Sequence, residues 1–375
     1  MKKLIRLKPL TPFFFGTNKT FSDDTLHDVT SSLFPQQTHI LGMLRFFILQ
    51  SHGLVALRRR GRWVKNNNFQ KAFRLVGGFD KNDKNQKEES FGIVNTISPV
   101  FITSTNNNAV TDFHFIAPKD TGLEITKHNT DDIIQIANKN RTKIYTISNY
   151  NPKIGTVEAL TTSAFWEAYQ KNGIPLRAYE TEINEKYLEN LNLLPLYEVF
   201  RDVTQVGIKR NKKTRTVQAD DEGSFYHKTS YSFADEKYEF AFIVDLNEDL
   251  PEHEGFVYLG AERSSFRIKI EDYDENIQKY YPQAHHNDTK AIALGDIAIK
   301  DFNNIAYMVN QDYIAHAFME RTKEKQHRAS SKYSKSQQQH YIPRGSVIYF
   351  KDDFHTGLLN DRFNFNSLLT KGETA

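Results

Sequence analysis

The chain has 375 residues, of which 39% are hydrophobic and 25% charged, and its formal net charge is +3. This composition is typical of a globular protein, and the length predicts one large domain or two of ordinary size. The absence of cysteine excludes disulfides and thiolate metal sites. No apolar run approaches the length of a membrane span, and the start lacks a signal-peptide stretch. We therefore expect a cytoplasmic protein with no membrane partner.

The first predicted elements are a strand over residues 4–15 and a helix over residues 34–53. Two prolines lie within the strand, which predicts an edge or a bulged position. Pro35 can begin the helix, Thr38 fits the N-cap, and Gly53 is placed to end it. Apolar residues at helical spacing give this helix one face to bury, and they are Ile40, Leu41, Leu44, Phe47 and Ile48.

Two residues of this helix do not fit a purely structural role. Gly42 costs about 0.5–1 kcal/mol relative to alanine inside a helix, so a glycine there usually indicates a close approach to the backbone. Arg45 lies in an apolar run, and its guanidinium needs an anionic partner or a path to water. From this segment alone, a salt-bridged or solvent-reaching arginine on a packed helix is an equal alternative.

A basic, strand-like segment follows at residues 55–74, and a polar loop is expected at 80–89. Its interleaved arginines and aromatics could hold phosphates and stack bases. A charged edge strand that avoids aggregation is an equal alternative. Shorter elements complete the first half, namely strands over 93–102 and 112–117 and helices over 131–139 and 163–171.

The second half opens near residue 184 and repeats the mixture of strands and helices. The predicted elements are a helix over 185–194, strands over 196–208, 225–233, 240–246, 256–270 and 342–350, and an amphipathic helix over 302–323. We expect an α+β fold of two sandwiches, each an antiparallel sheet with helices on one face.

The segment 209–215 is the most basic part of the chain. Its five cations are Lys209, Arg210, Lys212, Lys213 and Arg215. Because strands are predicted on both sides, the segment is expected to project as a β-hairpin finger. Clustered positive charge repels itself unless an anion neutralises it, and an RNA or DNA backbone is the natural partner. A solvated loop is the alternative.

Sequence patterns of catalysis and metal binding are missing. The 13 histidines form no His-x3-His or His-Glu-x-x-His pair, and there is no nucleophile elbow or phosphate-binding glycine loop. We therefore expect no metal, no cofactor and no catalytic residue.

Five segments, in chain order, resemble the motifs of one family. They are Pro-Leu-Thr-Pro-Phe-Phe-Phe at 9–15, Phe-Pro at 34–35 with Leu-Gly-Met-Leu-Arg at 41–45, Val-Gly-Ile at 206–208 with Gly-Ser-Phe-Tyr at 223–226, Leu-Gly-Ala-Glu-Arg at 259–263, and Pro-Arg-Gly-Ser-Val-Ile-Tyr-Phe at 343–350. Together they resemble the third subunit of the Cmr complex, a type III-B CRISPR effector, in the RAMP superfamily. Ala261 and Ser264 depart from the family pattern, which has glycine and arginine there.

The resemblance implies two ferredoxin-like domains, 1–190 and 191–375, the second carrying the basic hairpin and a glycine-containing terminal loop. It implies a non-catalytic subunit that binds the 5′ handle of the CRISPR RNA. It also implies contacts with the large polymerase-like Cmr subunit and with the first backbone subunit.

The RNA-binding residues expected from these patterns are Gly42, Arg45, Lys209, Arg210, Lys212, Lys213, Arg215, Arg263, Arg344, Gly345 and Ser346. Arg45 and Arg344 would hold handle phosphates, and backbone N–H groups at Gly345 and Ser346 would approach the RNA closely.

Two alternatives stay open at this point. One is a RAMP endoribonuclease that cuts repeat RNA, with His39 or His52 as general acid or base. The other is a β-rich interaction module without a nucleic-acid partner, which the even charge balance permits.

Overall fold

The structure is a computed structural model. It describes residues 1–16, 27–55, 58–59, 62–63, 68–77, 91–121, 125–129, 143–147, 157–172, 185–208, 225–260, 262–282, 290–297, 305–310, 314–316, 319–321, 333–335, 339–350 and 368–369. The helices of these residues are α1 (Gln37–Ser51), α2 (Phe69–Val76), α3 (Ser163–Asn172), α4 (Glu185–Asn190), α5 (Leu196–Val199) and α6 (Glu275–Gln278).

Strands outnumber helices among the described residues. In chain order they are β1 (Lys2–Pro9), β2 (His27–Thr30), β3 (Arg58–Arg59), β4 (Arg62–Trp63), β5 (Val94–Ile97), β6 (Phe101–Asn106), β7 (Ala109–His114), β8 (Ile125–Asn129), β9 (Lys143–Ile147), β10 (Ala159–Thr161), β11 (Leu193–Pro195), β12 (Phe200–Ile208), β13 (Phe225–Phe233), β14 (Tyr238–Leu246), β15 (Glu254–Leu259), β16 (Ser264–Asp272), β17 (Lys290–Ala293), β18 (Ile305–Val309), β19 (Ile314–His316), β20 (Met319–Arg321), β21 (Tyr333–Lys335), β22 (Gln339–Tyr341), β23 (Val347–Phe350) and β24 (Leu368–Leu369). The expected α+β class is observed, with mostly antiparallel sheets.

The chain divides into two compact units, and neither is continuous in sequence. Unit 1 comprises Met1–Phe115, Ala159–Glu167 and Glu185–Pro282. Unit 2 comprises Ile116–Glu158, Ala168–Asn184 and Gln283–Ala375. This division differs from the predicted boundary between residues 190 and 191, because the first strand pairs with strands beyond residue 237.

The main sheet of unit 1 has the order β15-β16-β1-β14-β6-β7, with β5 also paired to β14, and all its neighbours are antiparallel. β1 is therefore a central strand, and the edge position predicted for it is wrong. The two prolines do not disturb this position, since Pro9 ends the strand and Pro12 lies beyond it.

The strand order β16-β1-β14-β6, with α1 after β1, matches part of a ferredoxin-like topology. The chain between β14 and β16, where that fold has its second helix, contains the strand β15 instead. Two ferredoxin-like domains are therefore not confirmed.

The core of unit 1 explains much of the high aromatic content. Phe13 stacks on Phe15 with ring centroids 5.0 Å apart, and both rings contact Phe240 of β14 and Phe266 of β16. All four side chains are buried. Because aromatic rings bury large areas, this cluster fastens the segment after β1 to the face of the main sheet.

A second sheet of unit 1 carries the arms of the basic hairpin. β12 and β13 pair antiparallel from Phe200 opposite Phe233 to Ile208 opposite Phe225, and β2 adds parallel to β13. The predicted strand 225–233 is confirmed at both ends.

In unit 2 the described strands β18-β23-β17-β24 form one sheet. Its core consists of Ala291, Ala293, Ile297, Ile342, Ile348 and Phe350, with Ile305 and Met308 packed against it. The helix predicted over 302–323 is wrong, because the described residues of that segment form β18, β19 and β20. Its apolar spacing also suits a strand, and Ile305, Tyr307 and Val309 have high β-propensity.

Other differences are local. α2 lies in a segment predicted as strand-like, and the predicted strand 93–102 is divided into β5 and the start of β6. The helix predicted over 185–194 ends at Asn190 as α4, and α5 precedes β12. The polar loop 80–89 and the helix 131–139 lie outside the described residues.

Candidate nucleic-acid interface

The first candidate residues lie on α1, and the sequence explains why this helix forms where it does. Its apolar stripe is buried as predicted, together with Met43. At the C-terminal end Gly53 has a φ of 63°, its N–H donates to Gln50, and the N–H of Leu54 donates to Leu49. These two bonds form a Schellman motif, which only a residue tolerant of positive φ closes easily. Thr38 does not cap the helix, because Gln36 occupies the N-cap.

Gly42 and Arg45 lie three residues apart and therefore on one side of α1. Gly42 is exposed, and a Cβ atom added there would meet nothing within 4 Å. The part of the fold that the structure describes thus gives no steric reason for glycine at this position. Arg45 is half-buried, and its guanidinium carbon lies 5.4 Å from the centroid of the Phe91 ring, a cation–π contact. This side of α1 therefore combines open backbone with an oriented cation.

The two histidines of the endoribonuclease alternative lie at opposite ends of α1. Desolvation lowers the pKa of His39. His52 follows the last turn, with its Nδ1 2.8 Å from the Ile48 carbonyl oxygen. Thirteen residues of helix separate them by roughly 20 Å, so either ring would have to act without the other.

The turn between β15 and β16 holds the segment that follows β1. A Cβ atom at Gly260 would lie 2.2 Å from the Phe14 carbonyl oxygen, and the φ of Gly260 is 87°. Ser264 Oγ accepts a hydrogen bond from the Phe14 N–H at 3.1 Å. Glycine is therefore required at position 260 because the motif at 259–263 packs directly against the motif at 9–15.

The same turn contacts the hairpin arm and presents a cation. Glu262 forms an ion pair with Lys228 of β13, and the Lys228 ammonium lies 4.8 Å from the centroid of the Phe14 ring. Arg263 has a φ of 56° and an exposed side chain. Sequence reasoning missed Lys228, which lies in no motif. Ala261 lies outside the described residues.

The cationic segment itself, with Lys209, Arg210, Lys212, Lys213 and Arg215, lies outside the described residues. The strands β12 and β13 lie on either side of this segment, and their last described pair is Ile208 opposite Phe225. Beside this pair Val206 is exposed although it is apolar. The strands predicted on both sides of this segment are therefore confirmed as an antiparallel pair, and the projecting finger and its contact with nucleic acid stay predictions.

The other basic stretch of the first half is described only in part. Arg58 pairs with Trp63 in the β3–β4 hairpin, and α2 follows. The exposed Arg74 of α2 lies 3.3 Å from Glu248. An exposed pair of this kind contributes little to stability.

The terminal glycine turn lies in unit 2 and is held by internal contacts. A Cβ atom at Gly345 would lie 2.7 Å from Ile116 and 2.8 Å from the Ala117 carbonyl oxygen. Its N–H donates to the carbonyl of Ala293, and its own carbonyl accepts from the N–H of Lys119. The glycine is thus required by close packing within unit 2.

Arg344 and Ser346 flank this glycine. The Arg344 side chain is largely buried, with Nε 3.5 Å from an oxygen of Asp296. Ser346 is 0% exposed, and both its N–H and its hydroxyl donate to the Pro343 carbonyl. The backbone N–H groups expected to meet RNA are therefore used inside the chain. An RNA contact at this turn stays a prediction, and it would have to come from other atoms.

A buried polar cluster fixes the segment that contacts the turn. Asp120 accepts hydrogen bonds from the hydroxyls of Tyr169, at 3.1 Å, and Tyr349, at 2.8 Å. Burial, and then the Asp120 charge, raise the pKa of Tyr169. The adjacent Lys119 is only 4% exposed, and desolvation lowers its pKa although Glu158 acts in the opposite direction.

The candidate residues are thus divided between the units. Gly42, Arg45 and Arg263 belong to unit 1, as does the hairpin, whereas Arg344, Gly345 and Ser346 belong to unit 2. Within the described ranges no group of three or more histidine, aspartate or glutamate side chains is arranged to hold a metal ion. None of the helices in the described part of the chain combines the length and apolar character that a membrane crossing needs.

Comparison with known proteins identifies the class and then the family. The model of a CRISPR-associated protein family, Cas_Cmr3, matches residues 5–294, which is most of the chain. The chain therefore belongs to the Cas_Cmr3 family, and the resemblance found in its motifs is confirmed. No curated protein matches the chain.

Three similar solved structures are type III-B Cmr-beta complexes studied by cryo-EM. The first, bound to cognate target RNA, is 16% identical with a TM-score of 0.47, over 93% of this chain and 86% of that chain. The second, bound to cognate target RNA and AMPPnP, is 15% identical with a TM-score of 0.46, over the same shares. The third, in the apo state, is 9% identical with a TM-score of 0.30, over 72% and 97%.

Proposed function

We propose that this chain is a non-catalytic RNA-binding subunit of a type III-B CRISPR ribonucleoprotein in antiviral defence. It anchors the 5′ handle of the CRISPR RNA and bridges the large polymerase-like subunit to the backbone subunits. The observation that carries the proposal is the Cas_Cmr3 family match over residues 5–294. The hairpin arms and the open side of α1 support it with local geometry.

In this proposal the hairpin finger supplies most of the electrostatic attraction. Lys209, Arg210, Lys212, Lys213 and Arg215 extend beyond the described arms and contact successive phosphates of the handle. Phosphate contacts provide affinity without reading sequence, which suits a segment of pure positive charge. β2 and the Lys228–Glu262 pair support the arm from which the finger extends.

The remaining candidate residues position the RNA. Gly42 admits the RNA close to the backbone of α1, and Arg45, oriented by Phe91, contacts a phosphate beside it. Arg263 adds an exposed cation at the β15–β16 turn. Arg344 exchanges part of its pairing with Asp296 for a phosphate, while Gly345 and Ser346 keep the turn in shape.

We also propose that the chain contains two ferredoxin-like domains. In unit 1 the strand order β16-β1-β14-β6 and the position of α1 support this fold. The strand β15 then replaces the second helix of that fold.

The test is RNA binding by charge-reversed variants. In a triple variant, Lys209, Lys212 and Lys213 become glutamate, and binding to labelled 5′-handle RNA is titrated at several salt concentrations. If each lysine contacts one phosphate, the slope of log K against log salt should fall by about 2, at roughly 0.7 per contact with single-stranded RNA.

The matched control changes three exposed lysines of unit 1, Lys2, Lys237 and Lys279, to glutamate. It alters the net charge equally, so any effect common to both variants is non-specific. An unchanged slope in the finger variant would refute the role of the finger. Specific cleavage of repeat RNA that His39→Ala abolishes would favour the endoribonuclease instead.

A further inference from the structure

The strand β15 ends the main sheet of unit 1. Among the described residues it pairs only with β16, and the register between the two strands is regular from Glu254 opposite Lys269 to Leu259 opposite Ser264. An unpaired edge presents backbone donors and acceptors to any other extended chain.

The hydrogen bonds define which groups face the open edge. The N–H of Ile270 donates to the carbonyl of His253 at 2.8 Å, so His253 and Ile270 form a hydrogen-bonded pair. Pairing alternates along antiparallel strands, which turns the N–H and C=O groups of Glu254, Phe256 and Tyr258 away from β16. Consistently, the carbonyl of Ser265, opposite Tyr258, accepts from the N–H of Leu10 on the other side of β16.

The side chains of the same strand are unusual for an edge. Phe256 is 63% exposed and Tyr258 is 60% exposed, two residues apart and so on one face. The strand Glu-Gly-Phe-Val-Tyr-Leu contains neither the lysine nor the proline that commonly protects edges. It therefore combines exposed aromatic area with backbone groups that pair with no other strand of the described residues.

The charges beside these aromatics favour protein over RNA as the occupant. Arg267, opposite Phe256, donates to Glu254 at 2.8 Å, and Lys269 is paired with Glu271. The cations nearest to the aromatics are thus already matched by carboxylates. An RNA strand needs surplus positive charge, which this edge lacks.

We propose that the β15 edge binds an extended segment of another protein, which adds to the main sheet as one more strand. The segment carries apolar side chains at alternate positions, which pack on Phe256 and Tyr258, while its backbone pairs with the outward groups of Glu254, Phe256 and Tyr258. That the partner is another subunit of the same assembly rests on the proposed function, because a subunit of an assembly has protein neighbours.

The first test is amide hydrogen exchange on the free chain and on the ribonucleoprotein purified after co-expression with the neighbouring gene products. The amides of Phe256 and Tyr258 should exchange quickly in the free chain and about tenfold or more slowly in the assembly. Fast exchange in both samples would overturn the proposal. Protection that disappears when the RNA is digested would also overturn it.

The second test is a double variant, Phe256→Lys and Tyr258→Lys, with Tyr197→Lys as the control at another exposed aromatic. The amount of one protein in the purified assembly should fall at least tenfold, while the affinity of the isolated variant for handle RNA should be unchanged. Loss of RNA binding by the double variant with every protein retained would make RNA the occupant of this edge and would overturn the proposal. Failure of the wild-type chain to bind handle RNA would count against the handle role alone. Full retention of every protein by the double variant would overturn the proposal. It would also be overturned if the wild-type chain formed a homodimer and the double variant were monomeric.

Discussion

Replacing Gly42 with alanine separates the requirements of the fold from those of a ligand. An added Cβ at this position meets nothing within 4 Å, and the helix continues through it without positive φ. Alanine inside a helix is favoured over glycine by about 0.5–1 kcal/mol, so Gly42→Ala should stabilise the protein by that amount. For a unit of this size the expected rise in Tm is roughly 1–4 °C.

The same substitution should weaken RNA binding if the handle approaches the α1 backbone. A methyl group placed in that contact should raise Kd about tenfold, which corresponds to about 1.4 kcal/mol. Gly42→Gln, which keeps good helix propensity but extends further, should raise Kd by more. Urea unfolding gives the stability, and fluorescence polarisation with labelled 5′-handle RNA gives the affinity.

Gly53→Ala provides the control with the opposite sign. A Cβ atom added at Gly53 would also meet nothing within 4 Å, but the φ of this residue is 63°. A left-handed alanine costs about 1–2 kcal/mol, so this variant should lose stability and bind RNA normally once folded. A stabilised Gly42→Ala protein that binds the handle as tightly as wild type would refute the reasoning about α1.

Three further changes test the internal contacts. Gly260→Ala should lower the free energy of unfolding by roughly 2 kcal/mol or more, because its methyl group would overlap the Phe14 carbonyl. The control Gly16→Ala, at positive φ with nothing within 4 Å, should lower it by only about 1–2 kcal/mol. Equal losses in urea unfolding would contradict the steric argument. Ser264→Ala should cost about 1–3 kcal/mol, since it leaves the Phe14 N–H without its acceptor, and an unchanged unfolding midpoint would refute this. Lys119→Met should raise Tm at pH 7, because burial lowers the pKa of Lys119 in the folded protein and disfavours its charged form. This gain in Tm should shrink as the pH rises through the folded pKa towards the unfolded value of 10.5. A lower Tm at pH 7 would contradict the prediction.

Local sequence signals were sufficient where one segment decides its own structure. α1 has an apolar stripe and a glycine at its C-terminal end, and β13 has aromatic alternation between polar turns. None of these predictions required knowledge of a distant partner.

Predictions failed where a distant strand decides the outcome. β1 is central because β14 and β16, more than 230 residues away, pair with both of its sides. The segment 302–323 forms strands because β18 pairs with β23, which the local spacing does not reveal. The two units differ from the predicted division at residue 190 for the same reason, since pairing across the chain joins its first strand to its middle.

The motif glycines whose surroundings the structure describes fall into two physical classes. Gly260 and Gly345 are required by the fold, because Phe14 in one case and Ile116 with Ala117 in the other fill the space where a side chain would begin. Gly42 faces open space and lowers the stability of its helix. Substitution at Gly260 or Gly345 therefore tests the fold, whereas substitution at Gly42 tests the RNA contact of the proposed function without a steric penalty from the described residues.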